Sequence, residues 1–182
     1  MRETMMVAAL ARMPTSPRFP GETADSALEV IRRHQSAAPV DVGALARDLG
    51  INVYQDDLGR HVSGVLRRDE EIGGDSGYAI IVNSAHPPAR KRFTVAHEIA
   101  HFVLHRGKAA SGIEDDEFYR CLSNELEREA NRYAAEILMP WPLVNRLQDD
   151  GKTELGTLSK ALGVSKQALA IRLGLPYDQD WS

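Results

Sequence analysis

The sequence predicts an α+β fold built as one compact domain. Helical patterns flank a central run of three short strand candidates, and no segment repeats at a solenoid period. With 182 residues, 43% of them hydrophobic, the chain is long enough to bury a sizeable core. We divide it into a flexible N-terminal segment at 1–22, a main domain at 23–150 and a C-terminal helical hairpin at 151–182 that packs on the same domain.

The elements follow in order. "MPTSPRFPG" at 13–21 holds three prolines, a serine and a glycine, the composition of a linker after a mobile start. "TADSALEVIRRHQ" carries Ala27, Val30 and Ile31 at helical spacing, and "VDVGALARDLG" carries Leu45 and Leu49 before Gly50 stops the helix. "INVYQ", "HVSGVLRR" and "YAIIVN" alternate with turn-rich stretches and suggest a short, mainly antiparallel meander. The acidic run Asp69 to Glu71 between the last two reads as a solvated hairpin tip. A long helix starts near "HPPARKR", where proline suits the first turn, and ends at Gly107. "GIEDDEF" reads as a loop or a helix start. Another helix covers 122–139 and is closed by "PWP"; two shorter helices follow, joined at "LGVS".

Charge and composition narrow the function classes. Twenty-two basic against 26 acidic residues give a net charge of −4, which offers no general affinity for nucleic acid or anionic membranes. The single cysteine, Cys121, excludes an internal disulfide framework and a cysteine-based zinc cluster, and it reads as a small helix residue. "MMVAALA" at 5–11 is too short for a signal-peptide core, and no apolar run approaches the ~20 residues that span a bilayer. A cytoplasmic protein with no membrane partner is expected.

The chemistry concentrates in "RFTVAHEIAHFVLH". His97 and His101 stand four residues apart, so on a helix they project from one face about 6 Å apart along the axis and can share one ion. Such an HExxH pair supplies two of three protein ligands of a catalytic zinc site. Glu98 can lean over the same face as general base. Phe93, Val95, Ile99, Phe102 and Val103 mark the helix for burial, where three desolvated ionisable groups are costly unless an ion or firm partners compensate. His105 lies about 12 Å along the helix from His97, too far to share a tetrahedral ion. The glycine that breaks the helix in metzincins is replaced by Leu104. His105 therefore reads as a helix-end residue or a support behind the ligands.

The third ligand should come from "LEREANRYAAEILMP". Glu129 lies on a helix whose Ala130, Tyr133, Ala134, Ile137 and Leu138 argue for packing against the core. Glu125 and Glu136 are its rivals, whereas Glu127, roughly 200° away, is expected to face elsewhere.

"RFTVAHEIAHFVLH" followed by "EREANRYAAEILMP" resembles the ImmA/IrrE family of bacterial and phage zinc metallopeptidases, over about residues 40–145 and with "VGALARDLGI", "SGVLRR" and "AIIVN" in matching context. The resemblance implies a small zincin-like domain of gluzincin type, with zinc on His97, His101 and Glu129 and catalysis by Glu98; manganese or iron suits the same ligands. It further implies a protein substrate, a helix-turn-helix repressor of the XRE type, whose cleavage derepresses stress-response or mobile-element genes. Tyr133 stands where phenylalanine is common and Ala100 where glycine is common. The Tyr133 hydroxyl is a candidate contact to a transition-state oxyanion, beside a plain core role.

Two other functions compete. "LGTLSKALGVSKQALAIRLGL" resembles a helix-turn-helix unit in which Lys166, Gln167 and Arg172 could face DNA, although it is only weakly basic. A zinc-binding protein of the same fold could also sequester a regulator without cutting it.

Overall fold

The computed structural model describes residues 22–109 and 124–176, with side chains over 26–106 and 124–176. Apart from Glu22, the segment expected to be flexible, Cys121 and the "GIEDDEF" stretch lie outside the described residues.

Helix α1 (Glu22–His34) leads to α2 (Val42–Asp48). The Asp41 carboxylate caps α2 by accepting from the backbone N–H groups of Gly43 and Ala44 at 3.0 and 2.9 Å. Gly50, at φ 75, then turns the chain into the sheet, a conformation that side chains with a Cβ rarely adopt.

The sheet contains β1 (Ile51–Asp56), β2 (Gly64–Arg68) and β3 (Tyr78–Asn83). Their order is β1-β3-β2, with β1 parallel and β2 antiparallel to β3. The sheet is therefore mixed, and the expected meander is corrected: β1 and β2 are not neighbours. Asn83 shows the cause. It is fully buried, its Nδ2 donates to the carbonyls of Gly59 and Val62 at 2.6 and 2.8 Å, and its Oδ1 accepts from Ala85 N. These bonds draw the 57–63 connection across the end of β3, so that β2 is delivered to the far side of that strand. Ala79, Ile80 and Val82 are buried, as the central position of β3 requires.

The tip between β2 and β3 is organised as well as solvated. Asp69 Oδ1 accepts from Glu71 N and Ile72 N, and its carboxylate pairs with Arg67. The backbone bonds are the larger cause of a carboxyl pKa below the usual range.

Helix α3 (Pro88–Ala109) lies against the sheet, and α4 (Asn124–Leu138) packs against α3. Val95, Ile99 and Phe102 of α3 share one buried cluster with Leu66, Ile80 and Val82 of the sheet and Ala134 and Ile137 of α4. Three helices follow: α5 (Trp141–Asp149), α6 (Leu155–Leu162) and α7 (Lys166–Arg172). The sequence had suggested two after "PWP". Pro142 sits in the first turn of α5, where its missing N–H is not needed, so the motif that ends α4 also starts a helix.

Leu155, Leu158, Leu162, Leu169 and Leu173 join the same buried cluster as the sheet, α3 and α4. Arg92 ties the two regions together, donating from Nη2 to Val40 O at 2.7 Å and from Nε to Gly163 O at 3.0 Å. Arg172, a candidate DNA contact, is committed elsewhere: it pairs with Glu136, donates to Met139 O and covers the Trp141 ring at 4.9 Å. Lys166 and Gln167 remain exposed. Among the described residues, no helix is long and apolar enough to cross a membrane.

Candidate metal centre

His97, His101 and His105 recur every four residues along α3 and line one face, with ring centroids 4.6 and 5.0 Å apart. Val95, Ala96, Ile99, Ala100 and Phe102 are buried on its other sides and fix the roll of the helix. His101 and His105 are themselves buried, at 2% and 0% exposure. The Nε2 atoms of His97 and His101 face each other at 2.9 Å.

The carboxylate that meets this pair belongs to Glu127. Its two oxygens lie 3.3 Å from His97 Nε2 and 3.3 Å from His101 Nε2. Ligand atoms of His97, His101 and Glu127 all fall within 4.8 Å of one another. Glu129 instead reaches His105, with Oε2 3.2 Å from Nε2. The expectation that Glu127 faces elsewhere is thus corrected. The two glutamates do diverge by about 200°, but the face turned to the histidine pair carries Glu127 and, one turn on, Asn131, whose Oδ1 lies 3.0 Å from His97 Nδ1. Glu125 is exposed and Glu136 is paired with Arg172, so neither rival approaches the pair. Tyr133 is 6% exposed within the core cluster and does not line the cleft described below; burial pushes its hydroxyl pKa upward.

The electrostatics suit a cation. Burial is the first cause lowering the His97 pKa, opposed by the Glu127 charge. Burial, then the neighbouring His97 and His105, takes His101 down to about 3. Both imidazoles are therefore neutral near pH 7, the form that binds metal. The Asn131 oxygen requires a proton on His97 Nδ1, which leaves the Nε2 lone pair facing His101 and Glu127. Electron-rich atoms that converge in this way match a divalent ion, and two imidazoles with one carboxylate form a donor set that suits zinc.

Glu98 borders the same space. Burial first, then the Glu127 charge, pushes its carboxyl up to about 8, while a bond from the Leu66 backbone N–H favours the ionised form. Strand β2 can lie this close only because residue 64 is glycine: a Cβ there would stand 2.3 Å from Thr94 Cγ2, 3.2 Å from Ile81 O and 3.6 Å from Glu98 Oε1. A cleft of about 780 Å³ opens here, bounded by Gly64 and Leu66 of β2, floored by His97, Glu98 and His101, and walled by Glu127. Gly64, Leu66 and Asn131 were not singled out by sequence. The spacing of Asn131, four residues after Glu127, was the available signal for one of them.

Residues 46–174 match a peptidase family model described as the IrrE N-terminal-like domain. The chain is 40% identical over 90 residues to the radiation response metalloprotease IrrE of Deinococcus radiodurans, a match covering 47% of this chain and 27% of that protein. It is 36% identical over 86 residues to the protein of the same name from Deinococcus deserti, covering 47% and 29%. The chain thus spans under a third of either relative. A solved structure titled Mycobacterium tuberculosis transcriptional regulator shares the fold at TM-score 0.55 and 20% identity, over 85% of this chain and 48% of that one.

Proposed function

The chain belongs to the IrrE N-terminal-like domain family, and from that premise we propose that it is a zinc-dependent endopeptidase whose ion is held by His97, His101 and Glu127. The convergence of those three side chains beside Glu98 in an open cleft is the observation that carries this proposal. Manganese or iron would suit the same donors.

A divalent ion held there supplies Lewis acidity toward water and a peptide carbonyl. The positive charge of an ion beside Glu98 would offset the burial and the Glu127 charge that raise its pKa. The ionised Glu98 carboxylate then takes the proton of the attacking water as the water oxygen bonds to the carbonyl carbon. It returns that proton to the amine nitrogen as the C–N bond breaks. Because β3 is central, β2 keeps one unpaired edge among the described strands, and this edge borders the cleft. An extended substrate segment pairs with it and is held across the site. The side chain of Asn131 keeps His97 in the ligating tautomer.

The substrate we propose is a cytoplasmic XRE-type transcriptional repressor, cut to release stress-response or mobile-element genes. The resemblance to the ImmA/IrrE family supports this choice. The test is incubation of the zinc-loaded chain with the repressor encoded beside its gene. Fragments are expected from the wild type and none from Glu98→Gln, which should keep its zinc; an active Gln variant excludes Glu98 as the base. A stable complex without fragments would favour sequestration over cleavage.

A further inference from the structure

We propose that His105 and Glu129 are positioning residues, a hydrogen-bonded pair that fixes the tautomer and ring orientation of the ligand His101. The inference rests on the metal centre proposed above and deepens it.

His101 Nδ1 and His105 Nδ1 lie 2.9 Å apart inside the protein, with His105 fully buried. One proton serves two facing nitrogens, so one ring donates and the other accepts. The outer partner decides which. Glu129 Oε2 stands 3.2 Å from His105 Nε2 and, as a carboxylate, can only accept. The His105 proton is therefore held on Nε2, and its Nδ1 is left as an acceptor. His101 must then donate through Nδ1, which leaves the Nε2 lone pair pointing at His97 and Glu127, where the ion would be held. Asn131 reaches the same result for His97, since its Oδ1 accepts from Nδ1. Both histidines are thus arranged alike, His97 by Asn131 and His101 by His105. A ligating imidazole whose second nitrogen donates to a fixed acceptor is more basic and better oriented, and losing such a partner typically costs 10–100-fold in metal affinity.

The test measures zinc affinity of the full chain by competition with a chromophoric chelator, together with the visible spectrum of the cobalt-loaded protein. His105→Phe keeps ring bulk but removes the acceptor, and it should weaken zinc by about 10–100-fold and alter the cobalt bands. His105→Asn places a carbonyl oxygen where Nδ1 stood and should restore much of both. Glu129→Ala changes a partly exposed side chain, so it keeps the inference falsifiable where His105→Phe does not fold, and it should also weaken zinc measurably. Glu127→Ala should abolish tight binding. Unchanged zinc affinity in folded His105→Phe or in Glu129→Ala overturns the inference while leaving the metal centre standing. Loss of all binding in Glu129→Ala with binding kept in Glu127→Ala makes Glu129 the ligand and overturns it too. A wild type that binds no zinc overturns the centre and the inference together.

Discussion

Replacing Gly64 by alanine tests how the edge strand β2 is seated on α3. The new Cβ would stand 2.3 Å from Thr94 Cγ2, against an ordinary carbon–carbon contact of about 3.5–4.0 Å. The strand or the helix must therefore give by more than about 1 Å. Thr94 is 6% exposed, so its methyl has little free space into which to turn. Overpacking of this kind costs about 1–3 kcal/mol. Because the Leu66 N–H that bonds Glu98 rides on the same strand, a displacement near 1 Å should also lower the cleavage rate by about 100-fold. Urea unfolding gives the first quantity and fragment yield from the repressor gives the second. Thr94→Ser deletes the obstructing methyl, so the double variant should regain most of both losses, the Ile81 carbonyl at 3.2 Å keeping the rescue partial. Wild-type stability and rate in Gly64→Ala, or a Thr94→Ser partner that rescues neither, would refute the close seating of β2 on α3.

Asn83→Ala should destabilise the fold by about 1–3 kcal/mol in urea, because it removes a fully buried amide and the two bonds it donates to the carbonyls of Gly59 and Val62; an unchanged midpoint would remove Asn83 as the tie that routes β2. Asp69 gives a pH-dependent prediction. Its folded pKa is lowered below 3.8, so its stabilisation is present above the unfolded value and is lost as pH falls through the folded one. The urea midpoint of the wild type should exceed that of Asp69→Ala at pH 6, and the gap should shrink steadily as pH drops below about 3.8; a gap constant with pH would contradict that linkage.

Much of this was legible locally. The histidine spacing needs only helical geometry, and the windows chosen for the strands and for α3 lie close to the observed Ile51–Asp56, Gly64–Arg68, Tyr78–Asn83 and Pro88–Ala109. Strand order was not legible by the same means, since pairing is a long-range choice that alternation within a strand does not encode. One sign was present all the same. "YAIIVN" is almost continuously apolar, as a strand covered on both sides should be, whereas "INVYQ" and "GVLRR" mix in polar residues. "PWP" was read only as a terminator, although proline in a first turn starts a helix as readily as proline elsewhere ends one.

The identity of the carboxylate facing His97 and His101 depended on the roll of α4, which its sequence leaves ambiguous. The buried stripe Ala130, Tyr133, Ala134 and Ile137 is flanked on both sides by glutamate: Glu127 is three and seven residues before the alanines, Glu129 four and eight before Tyr133 and Ile137. The bulk of the neighbours separates the two flanks. On the flank of Ala130 and Ala134 the Glu127 carboxylate reaches both His97 and His101, and Asn131, one turn on, meets His97. Tyr133 and Ile137 fill the other flank, and from there Glu129 meets His105 instead. Two acidic residues two positions apart thus address the same imidazole row at different points, Glu127 at the Nε2 atoms of His97 and His101 and Glu129 at the buried His105. A substitution that exchanges their environments should separate them: enlarging Ala134 to leucine pushes α4 away on the Glu127 side, and zinc affinity should fall more steeply than the His105–Glu129 contact weakens.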